Sequence, residues 1–467
     1  MSAIKATVRD PGSFRDPKGH VFSRGEEIFR TVHAGGAAGY ERARDNGLIE
    51  ALQTRGWLIP TEEIDRVAAH SIGLQAKHVL RHPRLPFISY PYEWSFAALK
   101  DAAVLHLDVI LACLERGVSL SDASAYNVQF EGYRPLFIDV LSLQPYTEGE
   151  AWLGYRQFCE QFLNPLLLTA LFGIPHHAWY RGSLEGIATA DLARLLGFRH
   201  RLNWRLLSHV VLQAGMQRRS AANPDRSSAA ARSVRLSRNG YRAIVTQLRD
   251  WIAGMHPAGE TKTTWSDYAA ANTYADGEYA EKRAAIAAFC QRVQPGMLWD
   301  VGCNIGDFAA TALQSGARFA VGFDADHGAL EKAYARAKAE RLAFLPLYQD
   351  LASPSPSQGW SERERRGMAE RRCADALLAL AIVHHLAIGR NVPLPDVVRW
   401  LVGLAPDGII EFVPKSDPTV QTMLAVRQDI FDGYTEEAFA SALRSQASVV
   451  ECRKISSTGR KLFTYSR

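Results

Sequence analysis

No two cysteines in this chain have the spacing of a metal knuckle, and no apolar run is long enough to cross a bilayer. The six cysteines, Cys113, Cys159, Cys290, Cys303, Cys373 and Cys452, are scattered without a Cys-x-x-Cys pair. That argues against a zinc site or a disulfide framework, so no metal is expected, and it fits a reducing, cytoplasmic compartment. Arg9, Asp10 and Pro11 interrupt the N-terminus before any apolar signal core can form. The greasiest stretch, Ala102–Leu114, carries His106 and Asp108 and is too short to span. No membrane partner is expected. A strong charge of one sign is lacking too: 54 basic residues against 49 acidic ones leave +5, which permits an anionic partner without demanding one. No internal repeat occurs.

What is present is ordinary globular composition, 47% hydrophobic and 22% charged, over 467 residues. That length exceeds one core and predicts two or three domains. The reading divides the chain into an α+β domain over 1–216, a linker and connecting helix over 217–263, and an α/β domain over 264–467. In the first part, Val21–Phe22 and Glu27–Val32 read as strands and Ala38–Arg55 as a helix ending at Gly56. Phe96–Arg116 reads as a long amphipathic helix, and Asn127–Phe130 with Pro135–Val140 as a hairpin. Residues 150–215 read as helical. From Trp265 an aromatic-rich helix leads into strands at Leu298–Val301, Arg318–Asp324, Leu342–Tyr348, Ala376–Ala381 and Gly408–Val413, with helices between them. Strands alternating with helices predict a parallel, doubly wound sheet. Ser448–Arg453 and Lys461–Tyr465 close the chain as two more strands.

The chemistry concentrates where these strands end. Asp300-Val-Gly302-Cys303-Asn304-Ile-Gly306 turns from a strand into a helix. Gly302 and Gly306 allow a backbone to approach a ligand, and Asn304 tolerates a left-handed backbone. The second strand ends on Asp324, placed to accept the hydroxyls of a ribose. Asp350 follows the third strand, within reach of an adenine amino group, and His384-His385 follow the fourth.

In that order and spacing these residues resemble class I S-adenosylmethionine-dependent methyltransferases. Asp-Val-Gly-Cys-Asn-Ile-Gly is similar to that family's Asp-x-Gly-x-Gly-x-Gly motif, with Asn304 in place of the middle glycine. More narrowly, Ser353–Trp360, His384-His385-Leu386 and Glu411–Asp417 look like a bacterial group of nodulation-related methyltransferases. The resemblance implies a Rossmann-like sheet with an antiparallel final strand. It implies S-adenosyl-L-methionine as cofactor, held by Asp300, Gly302, Cys303, Asn304, Gly306, Asp324 and Asp350. His384 or His385 is the candidate general base, since an ordinary histidine titrates near neutrality.

A second cluster lies upstream. Asp122, Asn127 and Asp139, after a long helix, resemble the catalytic loop and metal-binding aspartate of protein kinases and aminoglycoside phosphotransferases. Neither Lys77 nor Lys100 is placed to clamp a phosphate, no Gly-x-Gly-x-x-Gly precedes them, and Val140-Leu141 follows Asp139. A kinase-like domain with negligible phosphoryl transfer is therefore expected. The leading function is methylation of a small or medium-sized metabolite at oxygen or nitrogen. RNA methylation through the arginine-rich residues 217–239 is an alternative. It is not favoured, because no RNA-binding module and no Asn-Pro-Pro-Tyr-type signature is present. A third reading is a cofactor-binding scaffold whose kinase-like part recruits a partner.

Overall fold

The computed structural model describes residues 6–222, 235–259 and 276–467. Its first five strands are β1 (Val8–Arg9), β2 (Val21–Arg24), β3 (Glu27–Val32), β4 (Glu62–Ile64) and β5 (His78–Pro83). They form one antiparallel sheet in the order β1-β2-β3-β5-β4. The helix expected over 38–55 is two helices, Ala34–Asp45 and Leu48–Thr54, because Gly47 adopts a left-handed φ of 71° between them. The first of these lies directly on the backbone of a later strand. A Cβ on Gly39 would stand 1.9 Å from the carbonyl oxygen of Leu143, so only glycine fits.

Ser95 caps the long helix Phe96–Glu115 by accepting a hydrogen bond from the Ala98 amide, and most of that helix's circumference is buried. β6 (Val118–Leu120), β7 (Val128–Glu131), β8 (Arg134–Phe137) and β9 (Leu143–Pro145) follow it. β7 and β8 form the expected hairpin, and β6 pairs with β9. The helix Arg238–Ala253 packs back along Phe96–Glu115 through Tyr241, Val245, Leu248 and Ile252. Their spacing puts all four on one face, and Arg249 pairs with Asp108 at 3.0 Å beside them. The connecting helix is thus part of the first core.

The remaining strands are β10 (Leu298–Val301), β11 (Ala320–Asp324), β12 (Phe344–Tyr348), β13 (Ala376–Ala379), β14 (Asp407–Phe412), β15 (Ser448–Lys454) and β16 (Lys461–Ser466). They form a seven-stranded sheet in the order β12-β11-β10-β13-β14-β16-β15. β10 to β14 run parallel, and β16 is antiparallel to both neighbours. This is the Rossmann-like sheet with an antiparallel close that the sequence predicts. Order reverses between β10 and β13, and at such a switch point the strand ends diverge and leave a crevice.

The two halves are joined by specific contacts. One face of the helix His327–Ala339 meets the start of Phe96–Glu115. Glu331 accepts from the Ala97 amide at 3.2 and 3.3 Å, and the Tyr334 hydroxyl donates to Asp101 at 2.8 Å. The His327 ring stacks on His177, with centroids 4.7 Å apart. A segment between β12 and β13 reaches across as well. Arg371 makes a buried ion pair with Glu93, and Arg365 sits 4.1 Å over the Tyr126 ring.

Burial pushes several histidines down from their usual value near 6.5: His106 and His176 to about 3, His82 to about 4. An unfolded chain would take up protons at these sites between pH 6.5 and their folded values, while the folded chain refuses them. Stability from these groups is therefore full above pH 6.5 and is lost as pH falls through that window. Thermal melts between pH 7.5 and 4.5 should show a steadily falling midpoint. His106 stacks on Phe158, and neither ring nitrogen has a hydrogen-bond partner among the described residues, so His106→Phe should flatten the slope. An unchanged slope in that variant would assign the acid sensitivity elsewhere.

Candidate active site

A cavity of about 450 Å³ opens where β10, β11, β12 and β13 end. That is within the range of small-molecule pockets. Gly302 and Asn304 form its floor, with φ of 83° and 48°. A Cβ on Gly302 would stand 3.4 Å from Ile382 in a backbone region that side chains rarely adopt. Asp324 organises this turn: one carboxylate oxygen accepts from the Asn304 amide at 2.8 Å, the other from the Asp326 amide at 2.9 Å. Burial raises its carboxyl above the ordinary range.

Cys303, Asp324 and Asp350 line the cavity with Gln349. Asp350 also accepts from the Ala352 amide at 3.0 Å and faces Arg390 at 3.5 Å. Gly306 is not on the cavity wall; its φ is 78°, and a Cβ there would meet the Phe344 ring at 2.5 Å. Its smallness lets the turn pack on β12. Asp300 lies behind the wall, 1% exposed. Burial first, and then the charge of Asp324, push its carboxyl up to about 7.

The structure brings both histidines to the same cavity. His384 is buried, and neither ring nitrogen has a hydrogen-bond partner among the described residues. Burial holds it neutral, well below the usual value, and lowers His385 to about 4. A neutral imidazole on a cavity wall offers an acceptor nitrogen to a bound molecule, while the same burial makes it a weaker base than a free histidine. Lys282, from the helix Asp276–Val293, reaches the same cavity and pairs with Glu411 at 2.7 Å, both side chains being fully buried. Behind them Arg460 holds Asp417 at 2.6 Å. Lys282 had no signal in the sequence, because a lysine on a mixed helix face reads as solvated. Glu411 turns inward to that ion pair. The start of the aromatic-rich helix read from Trp265 lies outside the described residues.

The upstream cluster is also assembled. The Asn127 side-chain amide donates to Asp122 at 3.2 Å and to Asp139 at 3.3 Å. Arg30 on β3 forms an ion pair with Asp139, and the Lys18 ammonium lies 3.2 Å from the Ser121 hydroxyl. Neither cation was visible as a partner in the sequence, since β3 and the Lys18 turn are brought to the loop only by the tertiary fold.

In a doubly wound sheet, the crevice at the switch point is where ligands bind, and here that crevice is lined by carboxylates. No family model matches the chain. It is 47% identical over 467 residues to nodulation protein NoeA of Rhizobium meliloti (strain 1021), covering 100% of this chain and 98% of the relative. The chain belongs to the NoeA family. Among solved structures it is similar to the N-methyltransferase NodS from Bradyrhizobium japonicum WM9, at 11% identity and a TM-score of 0.30, over 41% of this chain and 97% of that one. It is also similar to the magnesium protoporphyrin IX methyltransferase ChlM from Synechocystis PCC 6803 with bound SAM. That match has 17% identity and a TM-score of 0.30, over 45% of this chain and 86% of that one. Likeness at this level says nothing of the reaction.

Proposed function

We propose that the chain is an S-adenosylmethionine-dependent methyltransferase acting on a small or medium-sized metabolite at oxygen or nitrogen. The observation that carries this reading is Asp324: a carboxylate at the tip of β11, on the cavity wall, tied to the Gly302–Asn304 turn. The residues present fit the cofactor. Asp324 would hold the ribose, Asp350 with Gln349 the adenine side, and the Gly302–Asn304 turn the amino-acid part. When bound, the cofactor supplies a methyl group on an activated sulfonium. The chain's own work is alignment, exclusion of water and, for an acceptor that must lose a proton, its removal at a His384 ring nitrogen.

Asp324→Ala should weaken S-adenosylmethionine binding at least about tenfold by calorimetry, since a charge-assisted hydrogen bond contributes roughly 1.5–3 kcal/mol. Unchanged affinity in a folded variant would sink the assignment. Labelled S-adenosylmethionine with fractionated cell extract then tests the acceptor class, and label in RNA would favour the alternative reading.

For the N-terminal half we infer a kinase-like arrangement without efficient phosphoryl transfer, supported by the Asp122–Asn127–Asp139 cluster and by Arg30 already engaging Asp139. Incubated with labelled ATP and Mg²⁺, the full chain should release or transfer phosphate no faster than its Asp139→Ala variant. A clear difference between the two would overturn that inference.

A further inference from the structure

Six large apolar side chains crowd into the surface of residues 195–216 without being buried there. Phe198 is 78% exposed, Leu202 71% and Trp204 65%, and Leu195, Leu212 and Met216 of the same segment are exposed as well. The segment is folded, not loose. Helix Phe198–Arg201 begins at Gly197, and Asn203 caps the next turn by accepting from the Arg205 amide at 3.0 Å. Leu196, Leu206, Val210 and Ala214 anchor its inner side in the core. The outer apolar side chains therefore have no role in holding it down. Phe198 and Leu202 are one helical turn apart and stand side by side. Large apolar side chains exposed this densely along one folded segment mark an interaction site.

The charge within it is basic, with Asp191, paired to Arg194 at 2.8 Å, at its edge. Residues 192–219 contain six arginines and no aspartate or glutamate. Arg199, Arg201, Arg218 and Arg219 are exposed, and Arg205 lies over Trp251 at 5.7 Å. We propose that this face docks on an anionic lipid surface. Phe198, Leu202 and Trp204 would enter the boundary between headgroups and acyl chains, while the arginines meet lipid phosphates. Two other occupants fit less well. A second copy of the chain would bring two arginine-rich faces together. A nucleic acid would use aromatic faces for stacking, but four of the six apolar side chains are aliphatic. This surface was not legible in the sequence, because which apolar residues face outward is decided by tertiary packing. Among the described residues no helix is long and apolar enough to cross a membrane, so the attachment is peripheral.

Flotation of the full chain with vesicles tests this, using phosphatidylcholine alone and phosphatidylcholine with phosphatidylglycerol at about three to one. Binding to the anionic vesicles should be at least about tenfold stronger at low salt and should weaken as salt is raised. The triple variant Phe198→Ser, Leu202→Ser, Trp204→Ser changes only exposed side chains and should lose at least about tenfold. Arg199→Glu with Arg201→Glu should abolish the preference for anionic vesicles. Equal or absent binding to both vesicle types, or full binding by the triple variant, would overturn the proposal. So would a dimer in light scattering that the same variants dissociate, or binding to an RNA oligonucleotide in place of vesicles.

Discussion

Arg371→Ala is expected to destabilise the whole protein by about 3–5 kcal/mol, the cost of leaving one member of a buried ion pair behind. Arg371 is buried in the segment between β12 and β13. It donates to Glu93 at 2.9 Å and to the Ile88 carbonyl at 2.7 Å. Glu93 is 1% exposed, and the Tyr90 amide, 3.0 Å away, is not enough to hold its charge out of water. A urea titration should show the midpoint lowered by on the order of 1 M. The double variant Arg371→Met, Glu93→Gln should recover most of the loss, since removing both charges removes the uncompensated one. A single variant that melts like the parent would mean the pair contributes nothing.

The second large effect is on rate. His384→Asn is expected to slow methyl transfer by about a hundredfold or more for an acceptor with a weakly acidic proton, the magnitude of general base catalysis. Binding of S-adenosylmethionine should change little, because the groups proposed to hold it are Asp324 and the Gly302–Asn304 turn and not the histidines. Single-turnover methylation by His384→Asn and by His385→Asn measures this once an acceptor is in hand. The larger loss should belong to His384, whose ring nitrogens have no hydrogen-bond partner among the described residues. Because burial already holds His384 neutral, acidification from pH 7.5 to 6 should not reproduce the loss. Near-parental rates for both variants would remove the histidines from the mechanism and leave alignment alone.

The sheet and the cofactor wall were legible because they depend on local order. A parallel strand buried on both faces is a short apolar run, and the residue at its carboxyl end is fixed by where the run stops. Asp324 and His384 could therefore be placed from spacing. Gly306 was read as a ligand contact, yet its lack of a side chain serves the Phe344 ring. Both roles demand glycine, so residue type could not separate them. Asp300 sits in the same motif but behind the wall. Short strands such as β4, β6 and β9 have too few residues to show a period. Long-range ion pairs left no trace: Lys282 with Glu411 and Arg30 with Asp139 join residues more than a hundred positions apart. The helix break at Gly47 was hidden by the apolar period running through it.

Asp324 and Asp326 form the turn that starts the helix His327–Ala339, and the N-terminal half holds that helix through Glu331 and Tyr334. The cofactor wall is thus built partly on a foundation supplied by the other half of the chain. Cutting the protein between the halves would put the Glu331–Tyr334 face and Arg371 into water and leave the Asp324 turn unsupported. A chimera that kept the seven-stranded sheet but borrowed another N-terminal half would need residues around Ala97, Asp101 and Glu93 to come with it.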